Sequence, residues 1–293
     1  MITSNKTNED FLLILKTINN ELKDENIVSI LSLLRLLAKC PFSTVKGAIF
    51  NENYKQIIFN INLRLIGGSK EGQRICNSYH SWLLGLLKCH QAIIENKMVP
   101  MSADSIDAIM TFLVDLNIKS FSLNDTNLQE FYSIHLAMIA VCFSLVKHRH
   151  LFLIDRVPQY MHIFKDLIQA ILWHQSDRRK NVGLSNVELD ALTESSLKLE
   201  SLMHLIAQQS IAFKRVAPFV LSFIINLIVS NKRSTTLYNK IKTHIENICY
   251  ELIAICDHRV GRFILRCSNE AGRQLYELLL KDYQKYHKFK GKV

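Results

Sequence analysis

Glycine and proline, the two residues that most readily turn or break a chain, are scarce: 9 Gly and 4 Pro among 293 residues. Between them run long Leu- and Ile-rich stretches, so the chain has few places to reverse sharply and reads as helices joined by short connections. Hydrophobic residues make up 48% and charged ones 21%, which is a foldable balance and not a disordered one. The expected class is all-α.

The apolar spacing places the elements. Helices are expected over Asn8 to about Asn20 and Glu25 to Lys39, separated by polar "NNELKDEN". Pro41 and the Gly67-Gly68 pair bracket what reads as a less regular region. A long helix follows from about Lys70 to Asn96, and Ser102 suits the N-cap of another over 103–116. Asn124 to Lys147 reads as one long helix, and Pro158 as a first helical position. Tyr160, Phe164, Leu167 and Ile171 form one apolar stripe. Residues 176–186 read as a loop ending in a capping box, Ser185 with Glu188. Helices over about 187–208, 211–230 and 235–256 lead to a closing segment in which Ser268 suits an N-cap.

Successive helices with short links suggest antiparallel pairs stacked as an irregular α-solenoid of the HEAT or armadillo kind, although an irregular bundle would read alike. No repeat of fixed period is visible. An N-terminal helical part over 1–120 and a C-terminal part over 121–293 are expected to form one continuous array. The most apolar stretches, 131–146 and 217–230, fall short of the roughly 20 residues a membrane span needs. They read as core helices, and no membrane partner is expected.

No nucleotide-binding glycine loop, metalloprotease pair, nucleophile elbow or C-x-x-C pair occurs. Seven scattered cysteines and a polar first segment, "MITSNKTNED", suit a reducing compartment. Cys249 and Cys256 lie seven apart, as if on one helix face, with His244 and His258 nearby, but zinc prefers tighter paired spacing. "KHRH" (147–150) reads as a basic helix C-terminus in which Lys147, His148 and Arg149 complement the helix dipole. Trp82 and Trp173 sit in apolar contexts that suit core packing. No catalytic residue, cofactor or metal is expected, and a hydrolase or nuclease would need distant His, Cys and acidic groups brought together by the fold.

Charge is uneven. Net charge is +10, and residues 259–293 hold nine Lys or Arg against three acids, so +6 of it lies there. In this closing segment Leu275, Leu279, Tyr283 and Tyr286 make an apolar stripe, with Lys281, Lys285, Lys288, Lys290 and Lys292 facing out or trailing beyond. Such a cluster can neutralise phosphates with salt-dependent affinity. The same residues carry a resemblance. "AGRQLYELLLKDYQKYHKFKG" resembles the end of the unhealthy ribosome biogenesis protein 2 family, also called nucleolar pre-ribosomal-associated protein 2. The matching positions are Gly272, Arg273, Tyr276, Leu279, Asp282, Tyr283, Lys285, Tyr286, Lys288 and Phe289. Residues 145–172, 213–224 and 246–258 are similar to upstream parts of that family, and the resemblance spans roughly 140–293.

Members of that family are generally several times longer, so the chain resembles their C-terminal region. The resemblance implies a nucleolar assembly factor for the large ribosomal subunit, needed for processing of ribosomal RNA precursors. It would work beside other nucleolar pre-ribosomal factors, a large helical-repeat protein and an RNA helicase among them, and carries over no catalytic residue. Arg259, Arg262, Arg266, Arg273, Lys285, Lys288 and Lys290 are the expected contacts to pre-rRNA or a partner. The competing expectation is a cytosolic helical-repeat adaptor in transport or trafficking that never meets RNA.

Overall fold

The computed structural model describes residues 7–69, 77–116, 118, 128–178, 185–232, 237–257 and 259–287. All regular structure among them is helical. The chain divides into two compact units: residues 1–116 with 140–152, and residues 117–139 with 153–293.

In the first unit, α1 (Asn8–Asn20) opens on a capping box, Thr7 and Asp10 each satisfying the other's backbone N–H. After a 3-10 turn at Asp24–Asn26 comes α2 (Ile27–Ala38). Next is α3 (Thr44–Ser69), a continuous 26-residue helix where the sequence suggested irregular structure. Its buried Phe50, Tyr54, Ile57, Ile58 and Ile61 explain the difference, because they repeat along one helix face. Pro41 lies before the first turn, and Gly67 and Gly68 fall in the last, where neither interrupts the hydrogen-bond ladder. Then follow α4 (Asn77–Glu95) and α5 (Ala103–Asp115), the latter capped by Ser102 as expected. Residues 70–76, expected to begin α4, lie outside the described residues.

Alternate helices stack: α1 on α3, α3 on α5, and α2 on α4. Between them runs a file of aromatic rings, Phe11, Phe42, Phe50 and Tyr54, with successive centroids 5.6, 5.1 and 5.8 Å apart. Tyr54 ends it with its hydroxyl 3.0 Å from Nδ1 of the fully buried His90. Cys89 beside it donates its thiol to the Leu31 carbonyl at 2.9 Å.

The helix α6 (Leu128–Leu153) contributes its first half to the second unit and residues 140–152 to the first. At Arg149 the backbone leaves helical geometry (φ −134°, ψ 25°), so a helical segment does end within "KHRH" as the sequence suggested, and a further short stretch continues to Leu153 beyond the kink. Arg149 reaches a different helix terminus. Its Nε donates to Ile94 O at 3.0 Å, and one terminal nitrogen donates to Asn96 O at 2.7 Å and Val99 O at 3.2 Å. A guanidinium thereby caps the carbonyl end of α4, where cations are favoured. Residues Gln129–Leu172 include a window long and apolar enough to cross a membrane by length and composition, longer than the stretch read from sequence. Within Gln129–Leu172 His135 is buried, with Nε2 3.0 Å from Leu167 O.

The second unit continues with α7 (Val157–Arg178), α8 (Asn186–Gln208), a single turn at Ser210–Phe213, α9 (Ala217–Lys232), α10 (Asn239–Ile255), α11 (Val260–Cys267) and α12 (Glu270–Asp282). Pro158 lies in the first turn of α7, and Tyr160, Phe164, Leu167 and Ile171 are all buried. Of the expected loop 176–186, residues to Arg178 are helical, 179–184 lie outside the described residues, and the Ser185–Glu188 capping box is present. The expected helix over 211–230 is broken at Lys214–Val216, because Pro218 has no N–H to continue the ladder and suits a helix start.

Here too alternate helices stack, α7 on α9 and α8 on α10. Polar pairs cross the second of these: Glu200 binds His244 and, at 2.9 Å, Asn247, while His204 meets Glu251 at 2.8 Å. His244 is thus engaged by a carboxylate. Cys249 is buried in α10, but Cys256 is already beyond its end in extended backbone (φ −71°, ψ 153°), so the two share no helix face. His258 lies outside the described residues.

Candidate nucleic-acid interface

The basic end is built by two short helices laid on α9 and α10. In α11, Val260 and Ile264 point inward, and Arg259, Arg262 and Arg266 are exposed. Positions i, i+3 and i+7 share a helix face, so the three guanidinium groups form one stripe. None makes an ion pair with a described residue. Asp257 is the acid nearest in sequence to Arg259 and Arg262, and its Oδ1 accepts from the Arg259 backbone N–H at 2.9 Å; Glu270 is nearest to Arg266, and its Oε1 accepts from Gln274 Nε2 at 3.2 Å.

Asn269, not Ser268, is the N-cap of α12: its Oδ1 accepts from Gly272 N at 2.8 Å. Ser268 is buried and closes the last turn of α11, its N–H donating to Ile264 O at 3.0 Å. Two adjacent capping types competed for one position, and the exposed one has its side chain free to fold back. Gly272 fits closely there. A Cβ would stand 3.0 Å from Ser268 Cβ, 3.2 Å from Asn269 Oδ1 and 3.3 Å from Asn226 Oδ1.

Arg273 stands apart from the stripe. Its Nε donates to Ser268 O at 3.2 Å, so this guanidinium caps the carbonyl end of α11 while its residue stays exposed. Along α12, Leu275, Tyr276 and Leu279 are buried, as the stripe required. Tyr286 is not: it is 66% exposed. The cause is a π-helical turn over Tyr283–His287, whose wider hydrogen-bond spacing rotates the later side chains out of the 3.6-residue phase. That turn packs on α10 through a stacked pair, Tyr250 and His287, centroids 4.2 Å apart. Burial, and then the negative Glu246 and Asp282, push the Tyr250 phenol up to about 12. Lys285 is exposed beside them, its Nζ 4.7 Å from the Tyr286 ring. Lys288 and Lys290 lie outside the described residues. The fold therefore sets the α11 arginines and Lys285 on separate elements with separate neighbours.

Burial silences four of the cysteines and one histidine. Burial raises the Cys89 thiol to about 12, and Cys142, Cys249 and Cys256 rise likewise. A thiol so placed is not a nucleophile at neutral pH. Burial lowers His90 to about 3 and keeps its ring neutral. Among the described residues, no group of three or more His, Cys, Asp or Glu side chains is placed to hold a metal ion. Trp82 is buried in α4, and the Trp173 side chain lies outside what is described.

The sequence profile of the Urb2/Npa2 family matches residues 84–292, more than two thirds of the chain. The chain belongs to the Urb2/Npa2 family. This is the family that the closing segment resembled, and the match begins in α4, well ahead of the region near residue 140 where the resemblance was first legible. No curated protein and no solved structure matches the chain. Membership of the Urb2/Npa2 family implies involvement in ribosome biogenesis. The family is not known for catalysis, and a nuclear or nucleolar location is consistent with it.

Proposed function

We propose that this Urb2/Npa2 chain is a non-enzymatic helical scaffold that assembles the large ribosomal subunit in the nucleolus and assists pre-rRNA processing. Its outer helical faces bind other nucleolar assembly factors, a helical-repeat protein and an RNA helicase in the first place. The stacking of alternate helices within each unit supports this, since stacked helix pairs expose faces on which a partner can dock. The arginine stripe of α11 is the contact to pre-rRNA, aided by Lys285, Lys288 and Lys290. The observation carrying this reading is that Arg259, Arg262 and Arg266 line one exposed face with no neutralising acid among the described residues, inside the region the family profile matches. Guanidinium groups in that state are suited to bidentate phosphate contacts.

The test is the triple variant Arg259→Glu, Arg262→Glu, Arg266→Glu in the full chain. Sedimentation with large-subunit precursor particles should fall, and the salt dependence of RNA binding should flatten by about 2 in log–log slope, at roughly 0.7 for each single-strand phosphate left without its cation. Unchanged sedimentation and slope refute the RNA contact. A tagged copy spread through the cytosol, away from nucleoli, would instead favour the trafficking adaptor.

A further inference from the structure

Phe219, Phe223 and Phe263 lie in a row on the outside of the second unit. Phe219, in the first turn of α9, is 59% exposed. Its ring meets that of Phe263 on α11 edge-on, with centroids 4.9 Å apart and planes at 65°. One turn further along α9, half-buried Phe223 carries the ammonium of Lys165 at 4.5 Å from its ring centroid. At the other end, Phe263 shares the helix face of Arg259, Arg262 and Arg266, since 259, 262, 263 and 266 fall at i, i+3, i+4 and i+7. Cations therefore stand at both ends of the aromatic row.

Core packing accounts for the half-buried Phe223 and Phe263, whereas Phe219 is more than half in water and its ring contact, Phe263, shares a helix face with arginines that pair with no acid among the described residues. A ligand for this surface needs flat apolar faces and dense negative charge on one strand. Single-stranded RNA has both, because its bases are free to stack on aromatic rings while its phosphates meet cations. A duplex hides its base faces, and an acidic peptide supplies charge with few flat faces. We propose that single-stranded RNA lies across this row, with one base stacked on Phe219 and the adjoining phosphates on the α11 arginines. This rests on the RNA contact proposed above and narrows it to unpaired RNA.

The experiment measures fluorescence anisotropy of the full chain with a labelled oligouridylate and with a short blunt RNA duplex. Phe219→Ala is expected to weaken oligouridylate binding roughly tenfold, the order expected for one lost base stack. Duplex affinity and the salt slope should stay as they are. Phe219→Leu keeps apolar area without a π face and should lose as much, while Phe219→Trp should bind at least as well as wild type. Circular dichroism of each variant should match wild type, since the side chain is largely exposed. Three results would overturn the proposal: oligouridylate affinity unchanged in Phe219→Ala, equal losses for single strand and duplex, or wild-type affinity in Phe219→Leu. If these occur while the triple arginine variant still loses RNA, only the stacking proposal falls. Should the arginine variant also bind RNA normally, the RNA contact falls with it. An acidic, aromatic peptide that displaces the RNA through Phe219 would assign the row to a protein partner and overturn the proposal as well.

Discussion

Replacing His90 by leucine should remove a specific acid sensitivity from the first unit. His90 is 1% exposed, has the Tyr54 hydroxyl at Nδ1, and has a buried Nε2 with no hydrogen-bond partner among the described residues. Desolvation holds its protonation in the folded chain down to about 3, against an ordinary value of 6.5. The unfolded chain therefore takes up a proton below about pH 6.5 and the folded chain does not. Stability from this group is complete above that pH and is lost as pH falls from about 6.5 towards 3. At about 1.36 kcal/mol per pH unit, the loss between pH 7.5 and 5 comes to about 2 kcal/mol. Urea denaturation of wild type and His90→Leu at both pH values supplies the test, because differencing cancels every other titrating group. The wild type should lose about 2 kcal/mol more than the variant on acidification. Parallel pH dependences for the two proteins would refute the reasoning and mean that His90 protonates in place.

Arg149→Ala strips three carbonyls, at the end of α4 and in the turn after it, of their donor and should cost about 2–4 kcal/mol in the same denaturation assay, with Arg149→Lys recovering only part. Gly47→Ala drives a methyl group into the backbone carbonyl of Met98, which cannot turn aside as a flexible side chain could, and should lower the melting temperature measured by calorimetry, at a cost of about 1–3 kcal/mol.

The all-α class and most helix starts were readable because their causes are local. A scarcity of Gly and Pro, the Ser185–Glu188 box, the Ser102 cap and the Tyr160-to-Ile171 stripe all act within a turn or two. Errors arose where the deciding partner is distant or the backbone changes phase. α3 was hidden by four asparagines among its apolar positions and by a glycine pair that lies only in its last turn. Arg149 looked like a cap for its own helix, yet its acceptors lie 50 to 55 residues earlier. Tyr286 followed the apolar stripe until the π-helical turn displaced it. The arginines of α11 were identifiable from charge density, whereas the contact between Phe219 and Phe263 bridges two helices that no sequence spacing relates.

The division of α6 between the units has a bearing on synthesis. The stretch that completes the first unit arrives with Phe152, 36 residues after Leu116 (152 − 116). At about 5–20 residues per second, a ribosome leaves the earlier helices incomplete for roughly 2–7 s. During that interval the α4 terminus has no guanidinium to cover its carbonyls, and the nascent polypeptide offers a sticky surface to its surroundings. Holding chaperones should engage it then, and release it once Arg149 has emerged from the exit tunnel.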